Sequence, residues 1–189
     1  GTLIEGEYSS VSIADGDTAQ QAVEELYRHG HRRIAALISR PDDQSISQLR
    51  YEGYIQALES HGIPVDPELV ICTGGFGAKD AYRAVQEKMA ENVDFTALFA
   101  IADSMAIGAM RALMDAGRRI PEDCSVIAID GLELSAYIEP PLTTLCQPME
   151  EMGRRSAEIL LDMVRHKGSH ACELLPTTLR QGRSVAAPG

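Results

Sequence analysis

Short apolar runs recur along the chain, and each is bounded by polar or turn-forming residues. Four of them have the length and continuity typical of strands buried on both faces of a parallel sheet. These runs occupy residues 33–39, 69–72, 97–101 and 125–129. An alternating run at 8–14 predicts a further strand near the start of the chain. Later segments at 171–179 and 184–186 also predict strands, and Pro176 favours a sheet edge or a bulge.

Amphipathic helical patterns separate these runs. The predicted helices begin near residues 15–18, 46, 78 and 103. Asp15, Asp17 and Thr18 are candidate N-caps of the first helix, Gly30 is suited to end it, and Asp103 is a candidate N-cap of the fourth. Because strands and helices alternate, the sequence predicts an α/β fold with a doubly wound parallel sheet and flanking helices.

The stretch 121–153 combines a core strand, a turn and a crossover. Asp130-Gly131 ends the strand, and Pro140-Pro141 then interrupts regular structure. Residues 142–146 predict a short crossing strand, and a helix is predicted over 149–164. Asp130 therefore lies at the carboxyl end of a strand, where open α/β sheets bind ligands.

Composition limits the possible functions. With 189 residues, 44% of them hydrophobic, the chain can bury a substantial core. Its apolar runs are shorter than the ~18–20 residues of a membrane helix, so no membrane partner is predicted. The formal net charge of -11 disfavours nucleic-acid binding by these residues, because phosphate neutralisation needs clustered Lys and Arg. DNA contact would require another segment.

The Cys and His patterns do not indicate a metal centre. The cysteines are widely separated and form no CxxC pair: Cys72, Cys124, Cys146 and Cys172. We expect small buried thiols in a reducing, cytoplasmic environment. His29 and His31 flank Gly30, but two neighbouring histidines are too few for a typical zinc site. We therefore predict no metal and no cofactor.

Polar and aromatic residues follow the predicted strands at the ligand-binding edge. In chain order these residues are Asp42, Asp43, Gln44, Ser45, Phe76, Asp103, Asp130 and Gln147, and the apolar Ala102 stands at the same edge directly before Asp103. Arg50 lies one turn into the helix that follows the second strand. A carboxylate can accept two hydroxyl hydrogens, a guanidinium can donate to neighbouring oxygens, and an aromatic face can cover a ring. The set suits a small polyhydroxylated or heterocyclic ligand.

These residues also have structural interpretations. Asp103 is a good N-cap, and Arg50 could be a solvated helix residue. Phe76 could belong to the core, and Asp130 could accept hydrogen bonds from amides of its own loop. The patterns therefore indicate a pocket without identifying what it binds.

No catalytic motif accompanies this pocket. The sequence contains no GxSxG elbow, no P-loop and no GxGxxG fingerprint, and the Gly-rich segment 73–77 lacks the fingerprint spacing. The strand-end loops contain no His or Lys to complete a triad or form a Schiff base. The sequence therefore predicts a binding protein rather than an enzyme.

A series of short motifs carries a family resemblance. In chain order they are GHRRIA at 30–35, RYEGY at 50–54, AL at 57–58, FAIADSMAIGAM at 99–110, IPEDCSVIAIDG at 120–131, PPLTT at 140–144, QP at 147–148 and RSVA at 183–186. Together they resemble the lactose/galactose-repressor family of bacterial transcription regulators. The resemblance covers almost the whole chain, and the motifs stand in the family's order.

The resemblance implies a domain organisation. The family joins an N-terminal helix-turn-helix headpiece to a two-lobed, periplasmic-binding-protein-like core that binds an effector between its lobes. The expected segments are 1–14, the end of the N-terminal lobe and a crossover; 15–147, the C-terminal lobe; 148–171, a helix of the N-terminal lobe; and 172–189, returning strands of the C-terminal lobe. The chain is expected to be N-terminally truncated. We expect its helix 149–164 to fold back or swap into a second copy, because an exposed apolar stripe is unfavourable.

The resemblance also implies roles for residues of the pocket. Arg50 and Asp130 match the family's effector-binding Arg and Asp. Phe76 matches an aromatic that faces the pocket in some members, and Gln147 matches a polar contact at the crossover. Asp103, placed at the same edge by its spacing, completes the predicted ligand-binding set.

Two departures concern the ligand. Ala102 stands where sugar-binding members often carry Asn, and Ile46 replaces a polar pocket residue of the purine-binding type. A sugar or sugar derivative is the predicted effector, by its frequency in the family.

A homodimer is also implied, with DNA bound only through the headpiece. The residues expected on the dimer face are Ile107, Met110, Tyr137 and Ile138, with core packing as their alternative role. Effector binding would change the angle between lobes and so alter operator affinity. A secreted sugar-binding protein of a transport system and an α/β enzyme are the rival interpretations.

Overall fold

The computed structural model describes residues 8–40, 45–166 and 171–189. The strands are β1 (Ser10–Ile13), β2 (Ile34–Ser39), β3 (Val70–Thr73), β4 (Ala97–Ala100), β5 (Ser125–Asp130), β6 (Thr143–Cys146), β7 (Cys172–Leu175) and β8 (Thr178–Arg180). The α-helices are α1 (Asp15–Arg28), α2 (Ile46–Ser60), α3 (Ala78–Ala90), α4 (Asp103–Asp115) and α5 (Met149–His166). Two 3-10 turns occupy Pro67–Leu69 and Glu133–Ala136.

Six strands form the central sheet in the order β3-β2-β4-β5-β6-β8. The first five are parallel, and β8 is antiparallel to β6. Helix α1 packs against α2, and α3 packs against α4. The chain runs outward from β2 to β3 and then back across to β4, so right-handed crossovers place these helix pairs on opposite faces. The predicted doubly wound α/β fold is confirmed.

Helices α1 and α2 approach so closely that only glycine fits at position 53. A Cβ atom on Gly53 would lie 2.1 Å from the carbonyl oxygen of Gly16 and 2.9 Å from Cβ of Ala19. The neighbouring Tyr54 is fully buried, and its hydroxyl donates to the carbonyl of Ile34 at 2.8 Å. This contact places the first residue of α1 beside the first turns of α2.

A second, two-stranded parallel sheet is formed by β1 and β7, and α5 packs against β1. Residues 172–189 were expected to supply returning strands of the C-terminal lobe. In the structure this segment is divided between the two sheets, because β7 joins β1 whereas β8 joins β6. Pro176, which cannot donate a ladder hydrogen bond, lies between them. Leu160, Leu161 and Val164 of α5 remain exposed, so the helix folds back onto β1 with only part of its apolar surface covered.

The predicted strand at 184–186 does not form. The amide of Val126 donates to the carbonyl of Ser184 at 2.7 Å, but the amide of Ala186 donates to the side-chain oxygen of Ser125 at 3.0 Å. A side chain thus replaces the backbone partner that a strand would require. The predicted N-caps are also wrong, because Ala14 and Ala102 occupy those positions without side-chain capping bonds.

His31 is a buried structural residue. Its Nδ1 lies 2.9 Å from Oγ1 of Thr96, and its Nε2 lies 2.8 Å from the carbonyl oxygen of Ala186 and 3.0 Å from Oγ of Ser125. Burial lowers the pKa of His31, so the ring is neutral near pH 7. The ring links the start of β2, the start of β5 and the C-terminal segment.

The cysteines differ from the expectation that they are buried. Cys124 is buried and Cys146 is half-buried, but Cys72 and Cys172 are exposed because they face outward from β3 and β7. Within residues 8–40, 45–166 and 171–189, no cluster of three His, Cys, Asp or Glu side chains could hold a metal ion. No helix of these same ranges is long and apolar enough to cross a bilayer.

Replacing Gly53 with Ala tests the close helix contact. The added methyl group would overlap with the backbone of α1, so Gly53→Ala should lower the free energy of unfolding by at least ~2 kcal/mol, although alanine favours helices. Gly153→Ala is the matched control. Apart from the neighbouring residues and backbone of its own helix, no described atom lies within 4 Å of a Cβ at this helical position, so that variant should gain about 0.5–1 kcal/mol. Urea unfolding followed by circular dichroism measures both, and equal stabilities would contradict the contact.

Candidate functional site

The candidate site lies at the carboxyl edge of the central sheet. Parallel strands β2, β4, β5 and β6 end at this edge, and the chain reverses its direction of travel between β2 and β4. Such switch points are where open α/β sheets bind ligands. The structure brings Arg50, Asp130 and Gln147 together here, as the sequence predicted.

Arg50 is the centre of this cluster and is only 3% exposed. Its Nε donates to Oδ1 of Asp15 at 2.7 Å, and its Nη1 donates to Oδ1 of Asp130 at 3.2 Å. Nη1 also donates to the carbonyl of Ile101 at the end of β4. A guanidinium so far from water requires charged partners, and two carboxylates supply them. Arg50 is therefore not a solvated helix residue.

Asp15 belongs to the site, although the sequence pattern indicated only an N-cap. It is the first residue of α1, and its carboxylate is used by Arg50 instead of the helix amides. The available signal was its position just after the first predicted strand, much as Asp130 stands at the end of a later one. Its partner on α2 could not be inferred from spacing, because the Gly53 contact that joins the helices is a tertiary feature.

Asp130 has an unusual backbone conformation. As the last residue of β5 it has a φ of 135°, and Gly131 follows with a φ of 77°. Side chains rarely adopt such angles, at a cost on the order of 1–3 kcal/mol. Nε2 of Gln147 donates to Oδ1 of Asp130 at 2.8 Å, so two donors hold one carboxylate oxygen. The side chain is fixed but still 24% exposed.

Two polar atoms of this cluster make no hydrogen bond to another described residue. Among the residues that the structure describes, no donor reaches Oδ2 of Asp130, and Nη2 of Arg50 reaches no acceptor. One atom can accept a hydrogen bond and the other can donate one. A hydroxyl group does both, so this pair suits a polyhydroxylated ligand.

Phe76 lies in the Gly-rich loop after β3 and is largely exposed rather than part of the core. Oγ of Ser104, at the start of α4, donates to the carbonyl of Phe76 at 2.6 Å. Oγ1 of Thr73 is 2.5 Å from the carbonyl oxygen of Gly75. The loop is thus fastened at both ends, and its aromatic ring is largely exposed at this end of the sheet.

Asp103 differs from its predicted roles as N-cap or ligand group. It is 0% exposed. Oδ2 accepts from the amide of Leu132 at 2.8 Å and from Oγ of Ser135 at 2.6 Å, and Oδ1 accepts from Oγ1 of Thr144 at 2.5 Å. Burial raises the pKa of Asp103. Its oxygens are enclosed by protein donors, so a direct ligand contact is not supported.

The other residues predicted at the strand ends either lie outside the described residues or have a structural role. Asp42, Asp43 and Gln44 lie outside the described residues. Oγ of Ser45 accepts from the amide of Gln48 at 3.1 Å and caps α2, and Ile46 is exposed beside it. Among the described residues of α2, Arg50 is therefore the one whose side chain bonds to Asp130.

The residues predicted to lie on the dimer face differ in how far they are buried. Met110 is 1% exposed and lies in the core, so its alternative role in core packing is the correct one. Ile107 is half-buried, and Ile138 packs partly against the core. Tyr137 is 78% exposed at the end of the 3-10 turn, where it can contact a partner.

Replacing Arg50 tests the charge balance of the site. Arg50→Met would leave Asp15 and Asp130 without their cation in a mostly buried environment, so unfolding free energy should fall by about 3–5 kcal/mol. Arg119→Met is the control, because Arg119 pairs with Asp123 at 2.7 Å on the surface; it should cost less than ~1 kcal/mol. Chemical denaturation compares the two. Similar losses would show that Arg50 is not the buried counter-ion.

Comparison with known proteins identifies relatives that match most of the chain. A family model described as a periplasmic binding protein-like domain matches residues 23–185. The HTH-type transcriptional repressor CytR of Escherichia coli K12 is 37% identical over 175 residues, covering 89% of this chain and 51% of CytR. The HTH-type transcriptional regulator CelR of Thermobifida fusca is 34% identical over 174 residues, covering 92% of this chain and 51% of CelR. The chain thus spans about half the length of these curated relatives.

Solved structures of transcription regulators are similar to this chain as well. A complex of transcriptional regulator CelR with cellobiose superimposes with a TM-score of 0.89 at 33% identity, covering 97% of this chain and 56% of that chain. A LacI family regulator from Enterococcus faecium with bound ribose has a TM-score of 0.86 at 31% identity, covering 98% of this chain and 68% of that chain. The resemblance noted in the sequence is confirmed: the chain belongs to the periplasmic binding protein-like domain family and is an effector-binding core of the lactose/galactose-repressor (LacI) family of transcription regulators.

Proposed function

We propose that this chain binds a sugar or sugar derivative at the Arg50–Asp130 cluster and serves as the sensing part of a bacterial transcription regulator. The observation that carries the proposal is a carboxylate held through one oxygen, Oδ1 of Asp130, whose second oxygen and the nearby Nη2 of Arg50 have no hydrogen-bond partner among the described residues. A relative solved with cellobiose and another with ribose support a sugar-like effector.

The proposed recognition uses fixed groups with opposite hydrogen-bonding capacity. A ligand hydroxyl would donate to Oδ2 of Asp130, and a neighbouring oxygen would accept from Nη2 of Arg50. Phe76 would cover an apolar face of the ring from the loop after β3. Because Gln147 and Arg50 already hold Oδ1 of Asp130, little side-chain entropy would be lost on binding.

The proposed regulation follows from the two sheets. The large sheet, within 15–147 together with β8, would form the C-terminal lobe. The small sheet β1–β7 with α5 would belong to the N-terminal lobe. An effector held between lobes would bias their angle, and coupling of ~1–3 kcal/mol to a DNA-binding segment would be typical. DNA contact would come from a helix-turn-helix headpiece, consistent with the HTH-type description of the relatives.

A homodimer is the second part of the proposal. The 3-10 turn Glu133–Ala136 and the residue after it present Leu134 and Tyr137 to solvent. Adjacent exposed apolar side chains of this kind are suited to a subunit interface. A C2 dimer would bury the turn against its copy, with Ile107 and Ile138 at the border.

The rival interpretations have less support. The relatives reported above are transcription regulators, which favours a cytoplasmic regulator over a secreted transport protein or an enzyme. We therefore propose no catalytic role for the carboxylates at the site.

A thermal-shift screen tests the effector. Ribose, cellobiose, sugar phosphates and nucleosides would be added to the protein, and a compound at 100 times its Kd should stabilise it by about 2.7 kcal/mol. Asp130→Asn should abolish the shift because it removes the acceptor charge. Asp115→Asn, on the surface of α4, should retain the shift. A compound that stabilises both variants equally would place its site elsewhere.

Sedimentation equilibrium tests the dimer. Tyr137→Asp would bring a charge into the proposed interface and should raise the dimer Kd at least about tenfold. Leu49→Asp, an exposed apolar position on α2, is the matched control and should associate like the unmodified protein. Equal association of both variants would exclude the turn as the interface.

A further inference from the structure

Asp103 is a fully buried carboxylate that lies outside the proposed ligand contacts. It stands in the first turn of α4, where the helix dipole favours a negative charge. Its three donors come from the loop after β5, from the 3-10 turn and from β6. Isolated carboxylates are strongly disfavoured in such surroundings, so these donors are required to retain it.

Each donor lies next to a part of the ligand site. Leu132 is the second residue after Asp130, so its amide fixes the backbone just beyond the positive-φ position. Thr144 lies in β6, the strand that leads to Gln147. Asp103 thus holds the segment that follows Asp130 and the strand that precedes its Gln147 partner.

The same carboxylate also reaches the surface turn. Ser135 donates to Asp103 from within the 3-10 turn that precedes Tyr137. The amide of Leu142 donates to the carbonyl of Ser135 at 2.9 Å, and the guanidinium of Arg180 donates to the carbonyl of Leu132 at 3.0 Å and to Oγ of Ser135. The turn is therefore fastened to the core chiefly through groups that surround Asp103.

We propose that Asp103 is a positioning residue that fixes the Asp130 loop for ligand binding and couples this loop to the dimer face at Leu134 and Tyr137. The inference rests on the proposed function for its ligand and its dimer. Because the Asp103 side chain is bonded to both the loop and the 3-10 turn, a shift of one segment would also shift the other. An occupied site would then alter the dimer face without a contact between ligand and partner.

Amide hydrogen exchange on the ligand-free protein tests the positioning role. In Asp103→Ala the amides of Leu132, Ser135 and Tyr137 should exchange about tenfold faster or more, because the loop and turn lose their common acceptor. Asp103→Asn should restore slow exchange, since its carbonyl can accept from Leu132 while its amide donates to Thr144. Ser184→Ala is the matched control. It removes buried hydrogen bonds to Thr143 and Val126 but none to the turn.

The outcomes separate positioning from general stabilisation. Faster exchange confined to residues 131–147 supports the proposal, whereas unchanged or uniformly faster exchange overturns it. If Asp103→Ala does not fold, Ser135→Ala removes the link to the turn and should accelerate Ser135 and Tyr137 selectively; unchanged exchange there would overturn the proposal equally.

Sedimentation equilibrium tests the coupling to the dimer face. Asp103→Ala, or Ser135→Ala in its place, should raise the dimer Kd about tenfold relative to Ser184→Ala, and an equal Kd would overturn the coupling. The exchange experiment needs neither effector nor dimer. A monomeric protein with selectively faster exchange would therefore remove the dimer and the coupling while leaving the positioning role intact. Failure of ribose, cellobiose and the other compounds to bind would count only against the proposed effector.

Discussion

A guanidinium removed from water must be surrounded by acceptors, and the whole carboxyl edge of this sheet is arranged around that requirement. Arg50 takes its acceptors from α1, from the end of β4 and from the end of β5. These elements are distant in sequence, so the charge is accommodated only when the fold is complete. Stability and the geometry of the site consequently depend on the same interaction.

The Gly53 contact has a similar dual effect. Without a side chain at this position, α2 can lie against the backbone of α1, and only then does Asp15 reach Arg50. The RYEGY motif therefore combines a buried cation, a close helix contact and the buried Tyr54. Packing and ligand chemistry are specified by neighbouring residues of one helix.

Most of the fold could be predicted because buried parallel strands and amphipathic helices have distinct periodicities. The positions of Asp130 and Gln147 could be predicted because residues after parallel strands converge in space, whereas the role of Arg50 was implied by the family resemblance. The N-cap predictions for Asp15 and Asp103 are wrong, because an acid at the start of a helix has the same local pattern whether it caps the helix or bonds to a distant segment. Residues 184–186 were assigned to a strand because an apolar pattern does not reveal that Ser125 replaces a backbone partner. The division of β7 from β8 likewise depends on tertiary partners.

The positive φ of Asp130 has a consequence for how this sequence can change. Glycine would adopt that backbone angle without strain, so the substitution that best relieves the backbone is also one that deletes the carboxylate. The same substitution would take one of two carboxylates from the buried Arg50, at a cost of about 3–5 kcal/mol that exceeds the strain on the order of 1–3 kcal/mol. A search for more thermostable variants would therefore be expected to keep the strained acid even if it ignored the ligand, because the group that serves binding also balances a buried charge.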